Sequence, residues 1–217
     1  MEMASASGLT LVSIKDRNPL ITTTYGVGEM VADAIKRGCQ HIVMGIGGSA
    51  TCDGGIGMIK ALEENDCLSS SCRITVACDV TNPLYGPNGA AYVFAPQKGA
   101  TPEQVIELDN RLKQFAHDTE NKGLASKEMA FYPGAGAAGG LGYALLTYLK
   151  AELKSGIDIV LDISNFDKAL TESDLVITGE GKSDHQTMMG KVPSGVLYLC
   201  KKRQTPVWLM SGSIDDT

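Results

Sequence analysis

The sequence predicts an α/β protein. Three observations carry that expectation: short continuous apolar runs with strand character, glycine-rich loops that follow them, and helical spacing of apolar residues beyond each loop. Strand, glycine-rich loop, helix is the arrangement that places ligands at the C-terminal end of a strand.

The chain opens on Met1 to Leu9, which reads as the tail of an amphipathic helix with a small-residue face. Gly28 to Arg37 has apolar residues at helical spacing (Met30, Val31, Ala34, Ile35), and Gly38 is a natural stop. His41 to Ile46 predicts a buried strand. It runs into Gly47-Gly48-Ser49-Ala50-Thr51, and helical character returns over Gly57 to Glu64. Arg73 to Cys78 predicts a second strand, ending at Asp79 before the turn-rich Asn82 to Gly89. Tyr92 to Ala95 looks like a strand. Thr101 caps a helix begun by Pro102, with Val105, Leu108, Leu112 and Phe115 on one face. A helix over Gly139 to Leu153 precedes a strand over Ile157 to Leu161, with further strands over Asp174 to Thr178 and Pro206 to Met210. A helix from Pro193 to Arg203 lies between the last two.

Composition narrows the function classes. The 217 residues are 43% hydrophobic and carry a net charge of −6. That balance argues against a nucleic-acid binder, which needs an excess of Lys and Arg facing phosphates. It leaves small anionic ligands open, because backbone amides hold these without net positive charge. The longest apolar runs, such as Leu141 to Leu149, are too short to span a bilayer, so no membrane partner is expected. Six cysteines without a Cys-x-x-Cys pair read as reduced thiols of a cytoplasmic protein. Both ends read as cut, so an internal portion of a longer protein is expected.

Two segments are candidates for chemistry. In Gly47 to Gly55, glycines let backbone amides approach an anion, and Ser49 and Thr51 add hydroxyls. Asp53 is its one charged member, suited to a metal or a substrate hydroxyl; the bland reading is a tight strand-to-helix turn. The second is Thr178-Gly179-Glu180-Gly181-Lys182-Ser183-Asp184-His185-Gln186-Thr187, continuing to Gly190 and Lys191. Glu180 and Asp184 suit Mg²⁺, and Lys191, just before a helix started by Pro193, suits phosphate. A solvated acidic loop is the alternative. Gly134 to Gly139 matches G-x-G-x-x-G, but Pro133 abuts it and the preceding residues make a poor strand. Close packing of a helix N-terminus is the better reading there than a dinucleotide site. Lys98, in Gln97-Lys98-Gly99, is divided evenly between an anion ligand and a surface lysine. No Walker A motif and no Ser/His/Asp or Cys/His set with interpretable spacing occurs.

Taken in order, these segments resemble the bacterial type-I glycerate kinase family. The resemblance rests on Glu2 to Leu9, Gly45 to Thr51 with Asp53-Gly54-Gly55, and Ala77-Cys78-Asp79-Val80 with Asn82-Pro83-Leu84. It continues through Pro96 to Ala100, Gly134 to Gly140, and Thr178 to Gly181 with Asp184, Gln186, Thr187, Gly190 and Lys191. It implies phosphorylation of D-glycerate by ATP with Mg²⁺. It also implies two α/β domains, one inserted in a Rossmann-like domain that is only partly present here, with the active site in the cleft. Residues 1–166 would then be the inserted domain and 167–217 part of the discontinuous one, with a homodimer as a candidate assembly. The roles follow: Gly47, Gly48, Ser49, Thr51, Asp53 and Thr187 for substrate or phosphate; Asp79, Asp184 and Lys191 for catalysis; Glu180 and Asp184 for the metal. The family's opening strand and first acidic glycine loop have no counterpart in the chain. That sets a second reading beside the enzyme: a catalytically incompetent fragment that binds small anions or nucleotide. An NAD-dependent oxidoreductase built on Gly134 to Gly139 is a third.

Overall fold

A computed structural model describes residues 1–184, 187 and 192–215. The chain divides into two compact units, Met1–Leu153 and Lys154–Thr217.

The first unit is built on a three-stranded sheet. β1 (His41–Gly45) runs parallel to β2 (Arg73–Ala77) in the register His41↔Arg73 to Gly45↔Ala77, and β3 (Glu152–Lys154) flanks β2. The N-terminal segment edges β1: the Met3 amide donates to the Gly45 carbonyl at 2.9 Å, and Gly45 N donates to Met1 O at 3.0 Å. The expected helical tail at Met1 to Leu9 is one turn only, α1 (Ala4–Ser7).

α2 (Tyr25–Lys36) and α3 (Ile56–Glu64) pack closely because α2 presents Gly28 to its neighbour. A Cβ there would lie 2.5 Å from Met58 O and 2.7 Å from Ala61 Cβ. Val27, Val31, Met44, Met58, Leu62, Val76, Leu141 and Leu145 are fully buried in the resulting core. A link over residues 65–72 joins α3 to β2; it is closed at its start by Cys67 N donating to Leu62 O at 2.9 Å, and Ser69, Ser70 and Ser71 are exposed.

A second core forms around α4 (Ala90–Phe94), α5 (Pro102–Asn121) and α6 (Ala137–Tyr148), with Leu84, Leu108, Leu112 and Tyr143 at its centre. Thr101 caps α5 as its sequence predicts: its hydroxyl accepts from Gln104 N, and Gln104 Oε1 accepts from Thr101 N at 2.9 Å. The expected strand at Tyr92 to Ala95 is instead helical, being the end of α4. The start of α6 is left-handed at Ala138 (φ 53°), Gly139 (φ 70°) and Gly140 (φ 91°). Those residues press on the glycine loop, since a Cβ on Gly139 would lie 2.0 Å from Thr51 O. Helix packing, the reading preferred over a dinucleotide fingerprint, accounts for this glycine.

The second unit contains α7 (Gly156–Ile163), α8 (Phe166–Leu170), β4 (Val176–Ser183), α9 (Val192–Arg203) and β5 (Val207–Ile214). β4 and β5 are parallel, from Val176↔Val207 to Ser183↔Ile214. The expected strand at Ile157 to Leu161 is α7, because Ser155 accepts a hydrogen bond from Asp158 N and starts a helix. Ile157, Leu161, Phe166 and Leu170 then pack with Val196 and Cys200. This draws residues 154–166 into the second compact unit, and the two units part at 153/154. Among the described residues, no helix is long and apolar enough to cross a membrane.

Candidate functional site

In the first unit, the ends of β1 and β2 lie side by side, because a parallel register brings both carboxyl ends to one edge. β1 delivers Ile46 to Ser49, and β2 delivers Cys78, Asp79 and Val80. The two segments border a cleft of about 440 Å³. Phe94, Gln97 and Lys98 line it from the end of α4 and the turn after it, and Ala137 and Ala138 from the start of α6. Predicted residues Gly47, Gly48, Ser49 and Asp79 therefore share one site.

The glycine loop is held in place by the N-terminal segment. Leu9 N donates to Gly48 O and Ala50 N to Ser7 O, both at 2.8 Å, and Leu9 itself lines the cleft. Leu9 belongs to the Glu2 to Leu9 segment of the family resemblance but is not among the predicted site residues; the ladder bonds bring it to the cleft.

Asp53 and Thr51 fall elsewhere than expected. Asp53 does not line the cleft. Its carboxylate accepts from Thr24 N (2.8 Å), Thr24 Oγ1 (2.9 Å), Gly55 N (3.1 Å), Gly57 N (3.2 Å) and Thr23 Oγ1 (3.3 Å). It fixes the loop and caps the start of α3, where a negative charge is favoured. Thr51 is 1% exposed and contributes through its backbone. Its carbonyl accepts from Lys98 Nζ at 2.7 Å.

Lys98, evenly divided between two readings in the sequence, is 2% exposed. Its Nζ also donates to Ser49 Oγ at 2.7 Å. Burial lowers its pKa from 10.5 to about 8, partly opposed by Cys52 and Asp53. Burial likewise pushes the Cys52 thiol up to about 11, so no thiolate neutralises the ammonium at neutral pH. The Cys78 thiol is pushed upward too, by the same desolvation.

In the second unit, Glu180 of β4 lies beside Asp184 and Thr187. Thr187 Oγ1 donates to Glu180 Oε1 at 2.6 Å and accepts from Asp184 N at 3.0 Å. Ser183 Oγ also donates to Glu180 Oε1, at 2.6 Å. Lys191, with His185, Gln186 and Gly190, lies outside the described residues. No group of three or more His, Cys, Asp or Glu among the described residues is placed to hold a metal.

The model of the glycerate kinase family matches residues 1–67 and 63–217. The chain belongs to the glycerate kinase family. The glycerate kinase of Bacillus subtilis strain 168 is 46% identical over 241 positions, covering 99% of this chain and 63% of that protein. The glycerate 2-kinase of Escherichia coli K12 is 44% identical over 243 positions, covering all of this chain and 63% of that protein. A solved structure from Salmonella typhimurium LT2, described as glycerate kinase 2, superposes with a TM-score of 0.85 at 44% identity. It matches 98% of this chain and 63% of that one. The chain thus spans about 63% of the length of these family members. The two overlapping family matches meet at residues 63–67, where α3 passes into the link before β2.

Proposed function

We propose that the whole protein transfers the γ-phosphoryl group of ATP to a hydroxyl of D-glycerate. The observation that carries this is the cleft where the Gly47–Ser49 backbone, Asp79 and Lys98 converge at the carboxyl ends of two parallel strands. Phosphoryl transfer asks for positioning and charge neutralisation more than for covalent chemistry, and such a site offers both. The hydroxyl oxygen of glycerate attacks the γ-phosphorus, ADP departs, and the hydroxyl proton passes to a carboxylate. Asp79 and Asp184 are the candidates for receiving it or for orienting the hydroxyl. Lys191 is assigned to phosphate by its place in the family pattern.

Mg²⁺ fits this reading as a substrate-borne ion. It is commonly held by one or two carboxylates together with nucleotide phosphates, so it needs no larger protein cluster. Glu180 and Asp184 would hold it, and bound there it would neutralise charge on the phosphates. Six free cysteines support a cytoplasmic location. We assign the first unit to the inserted domain. The second, with β4 and β5 parallel around α9, is assigned to part of the Rossmann-like one.

A coupled assay following ADP release with D-glycerate tests the proposal. Asp79→Asn and Asp184→Asn should each lower kcat at least ~100-fold if they act as base or metal ligand. Unchanged turnover removes that residue from the mechanism. The 63% span favours a second reading, in which this chain binds ligands without turnover. Calorimetry with ATP and D-glycerate alongside the assay separates the two.

A further inference from the structure

The cleft of the first unit contains one buried cation, and its partners say what it is for. An ammonium has three N–H donors. Two of those of Lys98 are committed to Ser49 Oγ and Thr51 O, both neutral acceptors. Among the described residues, no carboxylate forms an ion pair with it. Asp53, whose charge acts on Lys98, already accepts from five donors. A charge removed from water without a counter-charge is costly unless a ligand supplies one.

The charges on the cleft wall then decide the kind of ligand. Among the described residues, Asp79 and Lys98 are the only carboxylate and the only ammonium lining it. One cation balances one negative charge. A nucleotide triphosphate carries several, and it would bring them up against Asp79. A small hydroxy acid carries one carboxylate for the lysine and hydroxyls for Asp79 and Ser49.

We propose that Lys98 binds the carboxylate of the acceptor hydroxy acid, making this cleft the acceptor subsite and not a nucleotide-phosphate subsite. The assignment rests on the kinase reading only in naming D-glycerate as the acid. The third N–H of Lys98 meets the carboxylate, and the Gly47–Gly48 backbone closes around it. Glycerol, which has the hydroxyls without the carboxylate, is then a poor ligand.

Calorimetry on the 217-residue chain with D-glycerate, glycerol and ATP tests this. The unaltered chain should bind D-glycerate and show no heat with glycerol at equal concentration. Lys98→Met should weaken D-glycerate by about 30-fold or more and leave ATP within about threefold, as expected for loss of a buried charge-assisted contact. A variant that keeps D-glycerate affinity within about threefold, or that loses ATP instead, overturns the assignment. So does absence of D-glycerate binding to the unaltered chain.

A second measurement needs no variant. The Kd of the unaltered chain for D-glycerate should rise about tenfold per pH unit above about pH 8, as Lys98 loses its proton. Cys52 and Asp53 act on Lys98, and Asp79 shares its cleft; Cys52, held near 11, stays a neutral thiol through that window. A Kd that is flat from pH 7 to 10 also overturns the assignment. The two proposals fail separately. Transfer to D-glycerate that survives Lys98→Met keeps the kinase and removes Lys98. Lys98-dependent binding without transfer keeps Lys98 and removes catalysis by this chain.

Discussion

Replacing Asp53 by Ala distinguishes a residue that shapes the glycine loop from one that touches a ligand. Five donors converge on its carboxylate, three of them backbone amides. A hydrogen bond to a charged group contributes roughly 1.5–3 kcal/mol net, and orphaning its donor costs a similar amount. The bond from Thr23 Oγ1 is exposed, and water will replace it. The two short bonds from Thr24 N and Oγ1 alone suggest a loss of roughly 3–6 kcal/mol. Taking about 4 kcal/mol, and 2–4 °C per kcal/mol for a unit of this size, Tm should fall by about 12 °C. Thermal unfolding by circular dichroism measures the fall. Calorimetry at a temperature where the variant is folded should find D-glycerate affinity lowered less than about tenfold. A Tm within ~3 °C of the unaltered chain, with affinity lost more than ~30-fold, would falsify the structural role and restore Asp53 as a ligand group.

Lys98 makes stability depend on pH with an unusual sign. Its folded pKa, about 8, lies below the ordinary 10.5. Between those values the unfolded chain therefore binds the extra proton, and stability should rise with pH. The contribution of Lys98 is roughly 3 kcal/mol, opposed above about pH 9 by Cys52, whose thiol is pushed up to about 11; it is read as the difference between denaturant titrations of the unaltered chain and of Lys98→Met from pH 7.5 to 10.5, and identical profiles refute it. Gly28→Ala should lower stability by about 1–2 kcal/mol despite the better helix propensity of Ala, because its methyl meets Met58 O and Ala61 Cβ. Chemical denaturation reads this, and a stabilised variant contradicts the packing. Ser155→Ala should cost about 1 kcal/mol by removing the acceptor of Asp158 N. The loss should appear in amide exchange over residues 156–163, and unchanged exchange there contradicts the capping.

Much of the fold was legible because its strongest elements are encoded locally. His41–Gly45 and Arg73–Ala77 are apolar runs bounded by turn residues. α5 announces itself through Thr101, Pro102 and Gln104. The failures share a physical reason. Ile157 to Leu161 is as apolar as a buried strand, and only the hydroxyl of Ser155 decides for a helix. Four or five apolar residues do not distinguish the two periods. The site divides along the same line. Gly47, Gly48, Ser49 and Asp79 sit at strand ends and are readable there. The burial of Lys98 depends on Ser49 and Thr51, 49 and 47 residues away, and no local pattern reports it. Asp53 was conspicuous as the one charge in its loop, yet its partners Thr23 and Thr24 come from a different segment.

The link over residues 65–72 has a practical consequence. Alignment to the Bacillus subtilis protein runs over 241 positions against 217 residues, so at least 24 positions have no counterpart here. The two family matches overlap at residues 63–67, where α3 ends and this link begins. The glycine loop and Asp79 leave β1 and β2 at their carboxyl ends, whereas the link enters β2 at its amino end. Doubling the length of a flexible loop costs only about 0.6 kcal/mol. Ser69 to Ser71 is therefore an attachment point for a fluorophore or an epitope, a full strand's length from the cleft.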